Sequence, residues 1–309
     1  MDRYNCVLDN FGSKITENYT FKKMANLPFG LQGIIRSGTQ GNIYAGTKQK
    51  YTFRVGKKVK DDYQNKNTDF VVKIMYNSKY NIRDINRTIN AQQLVRGQIC
   101  PHFALAYGQF HLKSAPFVGI KGYGVKKFAK PTEKVKNTLI TEGAAVGVIM
   151  ENLGDITMHD YLYWKPEKDE LKQILFQCYI GIYALVKILK MNHGDFQFNN
   201  IMLLQLSKPK VFRYKINEQL YVVKAKKFYP VIIDINGNLF GEKVSDMRDI
   251  RYLNKQINKH KRDLFQSLNL IYRSRLNSFF KYNFDEYKVN ERYENRNILY
   301  SNKPTYIFP

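Results

Sequence analysis

The most constraining stretch of the chain is an apolar run, ILFQCYIGIYALVKILK, that gives way to the polar segment HGDFQFNN at 193–200 and resumes as IMLLQL. The run is too long for an ordinary strand and apolar on every face, as a helix buried in a core would be. Between Ile174 and Leu189 it contains Gln177 and is shorter than the roughly 20 residues a bilayer crossing needs. We therefore expect a buried core helix, then a polar loop, then a short strand. Such a loop is fixed at both ends by packed elements.

The rest of the chain divides around this unit. Residues 1–28 show no strong period and end at Pro28, which predicts an N-terminal extension that packs loosely. From 29 to 153 the segments LQGIIRSGTQGNIYAGT, YTFRVGKKV and DFVVKIMY are rich in β-branched and aromatic residues and punctuated by glycine, which predicts antiparallel strands. Helical spacing follows from Asn81 to Ile99. ALAYGQFHL and VGVIMENL predict two more strands, with a loop or irregular hairpin from Lys121 to Lys136 between them. After Gly154 the pattern becomes helical, with a short and a long helix on either side of Pro166. Three strand-like segments, VFRYKI, QLYVVKA and YPVIID, imply a hairpin-like insert at 205–230, and helical spacing returns from Ser245 to about Lys281. The expected class is α+β, with no internal repeat.

Lysine and arginine number 50 against 26 acidic residues, a net charge of +24. That excess attracts polyanions, although a lysine-rich solvated surface explains it equally well. Lys255, Lys259 and Arg262, with Lys261 beside them, fall on one helical face; a solvated face is preferred there to a nucleic-acid interface. Cys6, Cys100 and Cys178 have no metal-ligand spacing and imply a reducing compartment. MDRYNCVLDN lacks the apolar core of a signal peptide, so the expectation is an intracellular protein without a transmembrane segment.

The chemistry is carried by residues far apart in sequence. Asp195 stands five residues before Asn200, a spacing that sets a carboxylate base beside an amide metal ligand, and His193 completes HxDxxxxN. FVVK places Lys73 on a predicted strand, where it can reach nucleotide phosphates, although a lone strand lysine is ordinarily a solvated edge. In SGTQGNIY, Gly38 and Gly41 let main chain approach phosphate, as would any hairpin turn. PVIID ends a strand at Asp234, a position for a magnesium ligand or, taken alone, for a structural cap.

In this order the chain resembles the protein kinase superfamily from about residue 30 to 280. The resemblance implies a bilobal fold, with a small β-rich N-lobe bearing one main helix and a larger, mostly helical C-lobe. It assigns Asp195 as catalytic base, Lys73 as phosphate anchor, and Asn200 and Asp234 as ligands of Mg2+ or Mn2+. Gly38, Gly41, Ile43, Val71, Lys73, Met150, Glu151 and Leu153 would contact ATP, with Met150 to Leu153 as gatekeeper and hinge. CPHFALAYGQF and the 205–230 insert are similar to serine/threonine kinase-like proteins of large DNA viruses such as iridoviruses and mimiviruses. That narrower resemblance implies a protein substrate and a place in host cytoplasm or virion.

Several positions depart from the family pattern. No glutamate occurs between residues 74 and 132, so the helix after Lys73 offers only Asp84 and Gln92 as partners. Asp234-Ile235-Asn236 replaces the usual DFG, Gly194 stands where HRD has arginine, and Gln197 stands where a lysine is usual. The segment after Asp234 is short, and Asp249 is expected to anchor the loop from the following helix. Two alternatives accompany the protein-kinase reading: a small-molecule kinase of aminoglycoside or choline type, which shares HGD and the asparagine, and a pseudokinase acting as a binding scaffold.

Overall fold

The computed structural model describes residues 19–37, 40–47, 70–118, 130–135, 138–164, 166–216, 219–237, 244–245, 247–260, 268, 279–280, 283–289 and 305–308. Gly38, the YTFRVGKKV segment, Cys6, Lys261 and Arg262 lie outside them. The chain forms two compact units, one of residues 1–86 and 105–152, the other of 87–104 and 153–309. Both helix and strand are abundant, and the class is mixed α and β.

The first unit is built on a seven-stranded sheet: β1 (Tyr19–Phe21), β2 (Gly30–Ser37), β3 (Gly41–Thr47), β4 (Phe70–Tyr76), β5 (Ala106–Val118), β6 (Lys130–Val135) and β7 (Thr138–Glu151). The path runs β1-β5-β7-β4-β3-β2, with β6 also paired to β7. Alternation decides its faces. Tyr44, Val72, Ile74 and Ile149 are fully buried, whereas Ile43, Val71, Lys73 and Met150 are half-buried. Gly41 has a packing reason of its own: a Cβ there would stand 2.1 Å from the Ile74 carbonyl oxygen of the neighbouring strand.

One segment is more ordered than the sequence predicts. Residues 19–21 pair with β5 in parallel, Tyr19 opposite Phe110, and Met24, Leu27 and Phe29 are buried. Phe29 sets its ring edge against Phe70 at 5.3 Å and Phe110 at 6.0 Å. Edge-to-face pairs of this kind hold a segment in place, so residues 19–29 are packed where a loose extension was expected. The basic segment expected as a loop or irregular hairpin contains β6, which pairs antiparallel with β7, Lys134 opposite Leu139, with a register shift between Pro131 and Glu133. Helix α1 (Lys79–Arg96) begins two residues before the expected Asn81 and passes across the division between the units.

In the second unit, α2 (Met158–Tyr163) starts at a capping box. Thr157 Oγ1 accepts the Asp160 N–H at 3.2 Å, and the Asp160 carboxylate accepts the Thr157 N–H at 3.0 Å. The predicted core helix is α3 (Lys168–Lys187), buried along nearly its whole length. Gly181 lets it lie close on the sheet, since a Cβ would meet Ile232 Cδ1 at 2.4 Å. Phe176 packs edge-on to Phe284 at 4.9 Å and Phe280 at 5.8 Å. Helix α4 (Arg248–His260) follows later in the chain.

This unit also carries two sheets among its described residues, more strand than a mostly helical lobe implies. β8 (Ile201–Gln205) pairs antiparallel with β11 (Phe228–Ile232). β9 (Lys210–Ile216) and β10 (Gln219–Ala225) form an antiparallel hairpin between them, extended by β12 (Lys288–Val289) and β13 (Thr305–Phe308). The CPHF segment completes the packing. His102 is fully buried, with Nδ1 2.9 Å from the Pro230 carbonyl oxygen and Nε2 2.7 Å from the Tyr214 hydroxyl. A carbonyl oxygen only accepts, so Nδ1 carries the hydrogen and Tyr214 donates to Nε2.

Candidate active site

The loop after α3 is tied down from its backbone outward. The Asn192 amide meets the main chain of Ser245 in both directions, donating at 2.8 Å and accepting at 2.9 Å. Asp249, in the first turn of α4, accepts the His193 N–H at 2.7 Å with one carboxylate oxygen and the Gly194 N–H at 3.0 Å with the other. The expected anchor is therefore in place. Because Asp249 is buried, these charge-assisted bonds lack competition from water.

His193 is wholly buried and uses both ring nitrogens. Nε2 lies 2.9 Å from the Ile233 carbonyl oxygen, and Nδ1 lies 3.3 Å from the Asp195 N–H nitrogen. The carbonyl can only accept, so Nε2 carries a hydrogen and Nδ1 is left to accept from Asp195. That is a neutral imidazole. Burial holds its pKa below the ordinary value, outweighing the opposite pull of Asp249, Asp195 and Asp234. The charges of all three carboxylates thus act on one ring.

Gly194 has φ +85°, and a Cβ on it would stand 2.1 Å from the Gly237 carbonyl oxygen. No side chain fits there, so the missing arginine follows from backbone packing. Gly237, at φ +70°, donates its N–H to the His193 carbonyl at 2.7 Å, and its own missing Cβ leaves room for the Arg87 guanidinium of α1. Neither contact is legible in the sequence. A glycine three residues past Asp234 is visible there, but nothing local names Gly194 or Arg87 as its neighbours.

Asp195 is half-buried. Its Oδ2 accepts from Gln197 Nε2 at 2.9 Å and from Asn200 Nδ2 at 3.3 Å. Asn200 Nδ2 also donates to the Asp195 main-chain carbonyl at 2.9 Å. Both bonds come from the amide nitrogen, and the amide oxygen takes no part in them. Gln197 therefore positions the carboxylate that it neighbours in sequence. The register of β8 and β11, with Ile201 opposite Ile232, and the Ile233 N–H bond to the Asn200 carbonyl at 3.0 Å carry the chain to Asp234 beside this loop. Asp234 takes φ +55°. Aspartate tolerates this left-handed conformation better than most residues.

Among the described residues, no group of three or more His, Cys, Asp or Glu is gathered to hold a metal.

Ile43, Val71, Lys73 and Met150 sit in the first unit, and strand register gathers them on one sheet face. Ile43 is opposite Lys73 and Lys73 opposite Val148; one step along, Ala45 is opposite Val71 and Val71 opposite Met150. Cross-strand pairs share a face, and residues 71 and 73 share it by alternation. Glu151 is committed locally: its Oε1 accepts the Leu105 N–H at 2.7 Å and its own N–H donates to the Leu105 carbonyl at 3.0 Å. Leu153 is buried in the second unit.

No family model matches the sequence, and no curated protein matches it.

Proposed function

We propose that the chain is an ATP- and magnesium-dependent phosphotransferase acting on serine or threonine hydroxyls of a protein. The observation that carries this reading is the Asp195–Asn200 pair, in which one amide nitrogen holds the aspartate while the amide oxygen is left for a cation. Asp195 Oδ1 makes no bond to Gln197 or Asn200, so it can accept the proton of an attacking hydroxyl. Asn200 and Asp234 would hold the magnesium, which supplies charge neutralisation at the transferring phosphoryl group. Lys73, on the face with Ile43, Val71 and Met150, would anchor the nucleotide phosphates while those apolar side chains cover the adenine.

A second reading, a kinase of small alcohols, draws support from Gly194. With no side chain possible there, the loop has no arginine to receive a regulatory phosphate, and transfer would be independent of phosphorylation of this protein.

The test is a melting shift on adding ATP with magnesium, compared between wild type and Lys73→Ala. A shift in the wild type that the variant loses supports the nucleotide site; equal behaviour of the two removes Lys73 from it. A metabolite panel that outpaces protein acceptors would favour the second reading.

A further inference from the structure

One end of the β9–β10 hairpin is unusual in charge. The connection from β8 to β9 and the one from β10 to β11 run side by side, joined by the Leu206 N–H bond to the Lys227 carbonyl at 2.7 Å. They lie between two ladder pairs, Gln205 opposite Phe228 and Lys210 opposite Ala225. Lys208, Lys210, Lys224, Lys226 and Lys227 are all exposed on this end, and none forms an ion pair with a described residue. From 201 to 233 the only acidic residue in the sequence is Glu218, between Ile216 and Gln219. Ordinary solvated faces intersperse the two signs, which relieves self-repulsion; this one does not.

The cluster has an aromatic border. Phe228 follows Lys227 directly and packs against Tyr161 at 5.5 Å and Trp164 at 6.4 Å. Trp164 is 57% exposed and Tyr163 66% exposed, beside His159 at 5.0 Å from the Tyr163 ring. Clustered ammonium groups next to exposed flat rings match an alternating partner that offers phosphates and unpaired bases. A lipid surface is ordinarily met by the apolar face of an amphipathic helix, whereas these lysines stand on strands and their connections, and an acidic peptide would have no use for the rings.

We propose that this end of the hairpin, with Trp164 and Tyr163, binds single-stranded nucleic acid. The lysines contact phosphates and the rings stack on bases, so binding is salt-dependent and tolerant of sequence. The proposal does not rest on phosphotransfer.

Trp164 is the only tryptophan of the chain, so its fluorescence reports stacking at this patch. The experiment titrates full-length protein with a labelled oligo-dT, following anisotropy and tryptophan quenching across a salt series. Three proteins are compared: wild type, K208A/K226A/K227A, and R251A/K255A/K259A on α4, which removes equal charge elsewhere. The expected result is quenching in the wild type and at least a tenfold weaker Kd for the hairpin variant. Its plot of log K against log salt should be shallower by roughly 2, at ~0.7 per single-strand phosphate contact. The α4 variant should retain most of the affinity. Absence of binding at low salt, binding without quenching, or equal loss in both variants overturns the proposal. Retention on phosphatidylserine vesicles through the same lysines, with oligo-dT unbound, would also overturn it and assign the patch to a membrane.

Discussion

Gly194 and Gly237 meet so closely that the Gly237 carbonyl oxygen occupies the space a Cβ of Gly194 would need, at 2.1 Å. Both glycines also have positive φ. Gly194→Ala therefore meets a left-handed backbone penalty of about 1 kcal/mol and an overpacking penalty of about 1–3 kcal/mol. Urea unfolding should show a combined loss of ~2–4 kcal/mol. Gly194→Arg should lower stability further and should not raise activity.

Asp249 bonds two consecutive N–H groups of the loop. Asp249→Asn keeps the shape, loses the charge and turns an NH2 group toward one of those donors. A buried N–H left without an acceptor costs about 1–3 kcal/mol. Unfolding should report a loss in that range, and transfer rate should fall because Asp195 follows directly on the anchored residues.

His193 sets a pH dependence with a definite sign. Burial lowers its folded pKa. Below the unfolded value of ~6.5, the unfolded chain therefore binds the proton that the native chain resists. Its contribution to stability is complete above that value and declines as pH falls below it. Denaturant midpoints measured from pH 7.5 to 5.5 should fall more steeply for wild type than for His193→Asn.

The buried thiols should be inert. Burial pushes Cys100 up to about 12 and raises Cys178 as well. Neither then forms appreciable thiolate at neutral pH. Iodoacetamide at pH 8 should leave both unlabelled in native protein and label both in urea, as peptide mass spectrometry would show.

The parts legible in sequence were those with local signals. Asp195 and Asn200 stand within one loop, so their spacing alone implied that the two side chains lie side by side; the hydrogen bond between them is visible only in the structure. Lys73, Val71 and Met150 could be placed on strands by alternation, but their shared face depends on register, which sequence does not encode locally. The absence of arginine at 194 looked like a regulatory difference; its cause is the Gly237 backbone, far along the chain. β1 and β13 went unread because each is a short edge strand of three or four residues whose parallel partner is remote in sequence. Buried His102 illustrates the same limit, since its partners Pro230 and Tyr214 lie more than 100 residues away.

The proposed phosphotransfer requires the Asp195 carboxylate to receive the proton of an acceptor hydroxyl. The most direct measurement is the initial rate of γ-phosphate transfer from ATP with magnesium to protein acceptors, for wild type and Asp195→Asn. Melting shifts by ATP with magnesium are recorded on the same samples. The account predicts transfer by the wild type, a fall of at least ~10²-fold in the variant, in keeping with loss of a general base, and an ATP shift retained by both. Transfer by Asp195→Asn at the wild-type rate, or none by the wild type to any acceptor despite an ATP shift, would contradict it.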